Sequence, residues 1–236
     1  MLIQLRLALI VVLSFMVLVT TGLHAATPLI APKSNGWKYQ DQGLEQGQGN
    51  WRSADYDDNG WSEGQPLLGY GDRDIRTKLS FGGNPQNKRR VAFFRRPFFL
   101  PRKHRQYLGR ICCDDGAVVY LNGKEVQRFN MPGGAVTEHT QALAAVGADA
   151  AEERQLRPFL IEGQLIQDGE NLIAVSVHQA NPTSSDLAFD LELVGLDAEG
   201  EIQQAESEVA AHAQTERMRE ANVGVSPVFH LKVKPR

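Results

Sequence analysis

Residues 170–194 constrain the fold more tightly than any other stretch of the chain. From Leu172 to Val177 nearly every residue is aliphatic or small, the composition of a strand covered on both faces. From Leu187 to Val194 the pattern turns to alternation. Phe189, Leu191 and Leu193 share one face, and Ala188, Asp190 and Glu192 the other. Side chains on a strand repeat every two residues, so this second segment reads as a strand with one apolar and one wet side. Between the two lies a run of turn formers and hydrogen-bonding side chains, from Gln179 through Asn181 and Pro182 to Asp186. Two strands therefore carry a polar loop at one end, which is how a β-sandwich presents a binding surface.

The rest of the chain fits an all-β protein with a helical tail. Trp37 and Tyr39 stand two apart, as on one face of a strand, and Leu67 to Asp72 is a short strand ending in glycines. Val91 to Leu100 is a strongly aromatic strand that carries Arg95 and Arg96, each of which must face water or find an acid. Tyr107 to Cys113 follows, and Asn122-Gly123 between two apolar runs predicts a two-residue hairpin. Arg157 to Glu162 is a further strand, with residues 73–90 and 130–155 as long connections. Glu201 to Asn222, rich in Ala, Glu and Gln, reads as a helix whose thin apolar stripe is Ile202, Ala205, Val209 and Ala213. Val228 to Val233 alternates as a final strand. The expected division is a signal segment over 1–26, a lead-in over 27–36, a sandwich over 37–196, and helix plus strand over 197–236.

The first 26 residues combine an early basic residue (Arg6), an apolar run from Leu7 to Thr21, and small residues at Ala25 and Ala26, the order of a secretory signal. This predicts a secreted or periplasmic protein, touching the membrane only if that segment stays uncleaved. A hydrophobic fraction of 42% supplies a real core, and a net charge of −3 without a basic stripe argues against nucleic acid. Cys112 and Cys113 are adjacent, so in a strand they point to opposite faces and read as small buried apolar residues.

Two tryptophans, Trp51 and Trp61, bracket an acidic turn. Asp55, Asp57, Asn59 and Gly60 match the opening of an EF-hand loop, but its closing glutamate position is Pro66 and no helical pattern flanks the segment. A calcium site of another geometry at Asp55, Asp57 and Asn59 stays open beside a solvated turn whose carboxylates bond local amides.

The series Trp51, Asp55, Asp57, Asp58 and Trp61 resembles the aromatic-acidic signature of galactose-binding-like jelly rolls. A longer series runs through Leu68 to Asp72, Phe94 to Arg96, Asp114 to Gly123, Asn130 to Pro132, Asn171 to Val175, His178-Gln179 and Ser184 to Asp190. It resembles a bacterial secreted β-sandwich module found fused to metallophosphoesterases and lamin-tail-like extracellular proteins. The resemblance spans about residues 37–195. It implies an all-β jelly-roll sandwich of galactose-binding-like type, and a role as a binding or accessory domain. The Cys112-Cys113 pair and the helical tail depart from that pattern.

Catalytic signatures are sparse. No histidine has a partner at metal-ligand spacing, and no Gly-x-Ser-x-Gly elbow exists. Ser184, Ser185, His178 and Asp186 are the residue types of a hydrolytic triad without any spacing that assembles one. The sequence is better suited to binding. His178, Gln179, Asn181 and Asp186 offer the groups that hydrogen-bond sugar hydroxyls, joined by Tyr70, Asp72 and Asp114 at neighbouring strand ends. Tyr70, Trp37 or Trp61 are the candidate platforms for a sugar ring. The expected function is a non-catalytic module that recognises a glycan or another envelope component. Two alternatives stand beside it: an envelope subunit docking on a partner protein through the C-terminal helix, and an accessory domain of a hydrolase system such as a metallophosphoesterase.

Overall fold

The computed structural model describes residues 28–44, 50–147 and 150–223. The signal segment and the strand expected over 228–233 lie outside them. In chain order the strands are β1 (Pro28–Ile30), β2 (Trp37–Gln40), β3 (Ser62–Gly64), β4 (Leu68–Tyr70), β5 (Thr77–Lys78), β6 (Val91–Leu100), β7 (Gln106–Asp114), β8 (Gly116–Leu121), β9 (Lys124–Phe129), β10 (Arg157–Glu162), β11 (Gly169–His178) and β12 (Leu187–Leu196). The helices are α1 (Ala150–Glu153) and α2 (Glu199–Val223).

The strands form two sheets packed as a sandwich. One runs β10-β7-β12-β4-β5, with β1 also paired to β12; the other runs β3-β2-β6-β11-β8-β9. Strands β11 and β12, the pair that dominates the sequence, lie at the middle of opposite sheets, which explains their apolar density. The inward residues of β12 (Phe189, Leu191 and Leu193) meet Ile173, Val175 and Val177 of β11 in one core. At its centre Phe189 stacks on Phe94 at 4.0 Å and meets Trp37 edge-on at 4.8 Å. Gly109 is required here: a Cβ would fall 2.2 Å from the Phe159 ring. The Asn122-Gly123 hairpin forms as expected, with both residues at positive φ (49° and 84°).

The lead-in carries a strand, because β1 pairs with β12 and Ile30 is fully buried. One expectation is corrected. The wet face of β12 is dry: Ala188 is 0% and Asp190 4% exposed. Helix α2 covers one part of that face, packing Ile202, Ala205 and Val209 on Leu108, Leu160, Val194 and Leu196. Leu67 and Ile75 cover another, against Cys112 and Ala188. The polar residues left underneath are all partnered. Arg110 bridges Glu192 on β12 and Glu208 on α2, at 2.6 Å each, and the Asp190 carboxylate accepts from Lys33 N at 3.1 Å and Leu191 N at 2.8 Å. A strand with an outward acid therefore looks wet in sequence, although Arg110 of β7 supplies the counter-charge and a helix supplies the cover. The opposite outer face is closed by Trp51, Trp61, Met131 and Ala142 over Val91, Phe93, Val118, Tyr120 and Ala174.

Candidate functional site

The antiparallel register decides which residues meet. Strand β12 starts where β4 and β7 end, since Leu187 pairs with Tyr70 and Ala188 with Asp114. Residues just beyond those ends therefore converge: Tyr70 and Asp72 from β4, Asp114 from β7, and Asp186 from the loop entering β12. Gln179, the first residue after β11, locks the group. Its Nε2 donates to the backbone oxygens of Asp186 (2.8 Å) and Asp114 (3.2 Å). Beside it, the Asp115 carboxylate accepts from Val146 N (2.7 Å) and Ala180 N (2.8 Å), fastening two loops to the end of β7. Gly71 makes the approach possible, because a Cβ there would fall 2.5 Å from that of Asp186 and its φ is +98°.

The site is acidic. One carboxylate oxygen from each of Asp72, Glu153 and Asp186 lies within 4.8 Å of the others, and all three residues are partly exposed. Arg154 stands beside them, holding Asp72 at 2.5 Å and Asp74 at 3.0 Å. Asp114 is 1% exposed. Burial first, then the neighbouring carboxylates of Asp115, Asp186 and Glu153, push its pKa well above the usual carboxylate range. Burial first, then the charges of Asp114, Asp186 and Asp115, push the Tyr70 hydroxyl up, so it stays a neutral phenol. Two side-chain oxygens among these residues, Tyr70 Oη and Gln179 Oε1, are buried without a hydrogen-bond partner.

The remaining expectations are placed elsewhere. His178 is fully buried, donating from Nδ1 to Thr140 O at 2.8 Å and accepting from Ser176 Oγ at Nε2, also 2.8 Å. Burial pulls its pKa to about 4, so it is neutral and structural in its contacts. It does not engage Ser184, Ser185 or Asp186, and Ser185 Oγ instead bonds Asp186 Oδ1 at 2.9 Å; the triad of residue types is not assembled. Asn181 shapes the loop rim, accepting from Thr183 N and Oγ1 at 3.0 and 2.9 Å. None of the rings expected as platforms offers a face: Trp37, Tyr70 and Trp61 are 0, 4 and 8% exposed. The Tyr70 ring lies against Phe81 and under Lys88, whose ammonium donates to Ser184 O.

In the acidic turn Asp55, Asp57 and Asn59 are exposed, and Asp57 Oδ1 accepts from Asn59 N at 3.0 Å, an Asx turn. The working acid there is Asp58, part of the aromatic-acidic series but not among the expected metal ligands. It pairs with Lys38 and with buried Arg95 at 2.7 Å each. Arg95 also donates to the carbonyls of Trp51 and Ser53, while Arg96 donates to Ser34 Oγ at 2.7 Å. Neither arginine pairs with Asp114 or Asp115. An arginine inside an aromatic strand did signal an acid partner. Glu153 and Arg154, by contrast, sit in an Ala-rich connection whose sequence carries no such signal.

No family model matches the chain, and no curated protein matches it. Among solved structures it is similar to a β-glucuronidase of Bacteroides uniformis, with a TM-score of 0.47 and 17% identity over 72% of this chain and 18% of that one. A β-glucuronidase of an uncultured Clostridium gives 0.42 and 18%, covering 73% of this chain and 30% of that one. A glycosyl hydrolase family 2 member of Bacteroides cellulosilyticus gives 0.45 and 13%, over 71% and 20%. The chain spans a fifth to a third of the length of these proteins.

Proposed function

We propose that this chain is a secreted, non-catalytic module that binds a glycan of the cell envelope at the end of the sandwich carrying Asp72, Asn181 and Asp186. One observation carries the reading. Strand register gathers five of the seven polar residues chosen from sequence (Tyr70, Asp72, Asp114, Gln179 and Asp186) at one end, while His178, the base that a hydrolytic triad needs, is buried and fully engaged elsewhere. Partly exposed carboxylates and an amide are the groups that bind sugar hydroxyls, and they stand on loops fixed by a rigid sandwich. With the rings of Trp37, Tyr70 and Trp61 buried, recognition at this end rests on hydrogen bonding. The test is thermal unfolding against a panel of glycans, because a ligand that binds only the native state raises the midpoint. One glycan should raise the midpoint of the parent chain and leave that of Asp186→Ala unmoved. A panel without any shift, or a shift that survives in Asp186→Ala, sinks the reading.

A further inference from the structure

The chain carries three Asn-Gly steps, at Asn35-Gly36, Asn59-Gly60 and Asn122-Gly123. An asparagine before glycine holds a slow reaction within its own backbone. Glycine has no side chain to shield its amide nitrogen or to stiffen the main chain, so that nitrogen can reach the asparagine Cγ. Whether it does depends on how free the carboxamide and the glycine amide are, and the three steps differ in that respect.

Asn122 is pinned. Its Nδ2 donates to Asn171 Oδ1 and its Oδ1 accepts from Leu172 N, both at 2.9 Å, while its own amide donates to Leu172 O. Asn171 is itself buried in β11. Turning the Asn122 carboxamide toward Gly123 N breaks both side-chain bonds. Asn59 stands instead in the exposed turn closed by Trp61 N, which donates to Asp58 O at 3.0 Å. Its backbone amide donates to Asp57 Oδ1, but among the described residues neither its carboxamide nor the Gly60 amide has a hydrogen-bond partner. Both residues are exposed, and a Cβ on Gly60 would meet nothing within 4 Å. Asn35 and Gly36 are exposed too, again with carboxamide and glycine amide unpartnered among the described residues.

We propose that Asn35 and Asn59 are sites of spontaneous deamidation, and that its bonds to β11 hold Asn122 against it. The Gly60 amide nitrogen loses its proton and attacks Asn59 Cγ. The new C–N bond closes a cyclic imide, the bond from Cγ to Nδ2 breaks, and that nitrogen leaves with the proton as ammonia. Water then adds to one of the two imide carbonyls and breaks its C–N bond, giving aspartate or isoaspartate. Nothing is oxidised or reduced, and water is the only co-reactant. The same steps apply at Asn35 with Gly36. At position 59 the product puts a carboxylate beside Asp57 and Asp58, and the isoaspartate form lengthens the main chain next to the acid that pairs with Lys38 and Arg95. At position 35 the change falls between Ser34, which accepts from Arg96, and the buried Trp37. The reaction is independent of any glycan.

The test is a time course of the full-length chain at mildly alkaline pH, folded or in urea, read by peptide mapping with mass spectrometry. In urea all three asparagines should convert at similar rates. In the folded chain Asn35 and Asn59 should convert while Asn122 lags them by roughly tenfold or more, since two hydrogen bonds must open first. Gly60→Ala, whose methyl group fits the open space there, should slow conversion at Asn59 and leave Asn35 unchanged. Survival of Asn35 or Asn59 in the folded chain, with conversion in urea, overturns the proposal. So does an Asn122 that converts as fast as they do, or an Asn59 rate indifferent to Gly60→Ala.

Discussion

Asp58 and Asp114 are both drawn into the sandwich, and their surroundings treat them in opposite ways. Burial alone would raise the pKa of Asp58, but hydrogen bonds and charge from Lys38 and Arg95 outweigh it, and its carboxyl is held below the ordinary range. Asp114 meets burial with acids on several sides, and its carboxyl is pushed up. The first is a closed structural clamp, complete within the chain. The second belongs to a group of acids in which one arginine, Arg154, is shared between two aspartates. Burial of an acid does not by itself mark a ligand site; the balance of charge around it does.

The sharpest way to break this contrast is to open the clamp. Arg95→Met leaves the Asp58 carboxylate and the Trp51 and Ser53 carbonyls without their buried donor, and should cost about 3–5 kcal/mol in denaturant unfolding. A loss below about 1 kcal/mol would show that the Asp58 clamp is not bracing the fold.

A subtler test separates the two acids by pH. The folded state holds a proton on Asp114 that the unfolded chain has already released, so Asp114 makes stability fall as pH rises through and beyond the ordinary carboxylate range. Asp58 acts with the other sign: its contribution is present above that range and is lost as pH falls. Asp114→Asn should therefore flatten the decline in unfolding free energy that runs from the carboxylate range up to about pH 9, measured in chelator, and leave the loss at lower pH in place. An unchanged slope in that window would remove Asp114 from its cause. The smallest effect is expected at the exposed acidic turn, where Asp57→Asn keeps the oxygen that accepts from Asn59 N. Its unfolding free energy should stay within about 0.5 kcal/mol of the parent.

The fold was legible where pattern and packing agree. The bounds of β6 and β10 follow directly from their apolar runs, and the Asn122-Gly123 turn has the one backbone shape that those two residues favour. Legibility failed at the outer face of β12, because alternation reports polarity and not what lies over it; α2 and Arg110 turn a wet pattern into a dry layer. The candidate site was half legible. Asp72, Asp114, Gln179 and Asp186 stand at strand ends flanking turn signals, where polar groups gather. Glu153 and Arg154 reach the site only through tertiary placement of a single helical turn, which no local periodicity records. The apolar stripe of α2 was read correctly, but its partner is the chain's own sheet.

The strand order also bears on how the molecule comes into being. The middle of one sheet is β12, the last strand among the described residues, and β11, just before it, lies in the middle of the other. β1 and β4 pair with one side of their sheet only through β12, while β7 and β10 stand on the other side of it. A nascent chain that has reached residue 186 thus owns both halves of a sheet with nothing to join them. Closure waits for the ten residues of β12 and the helix that seals them, so assembly of this sandwich is a late event and not a growth from its first strands.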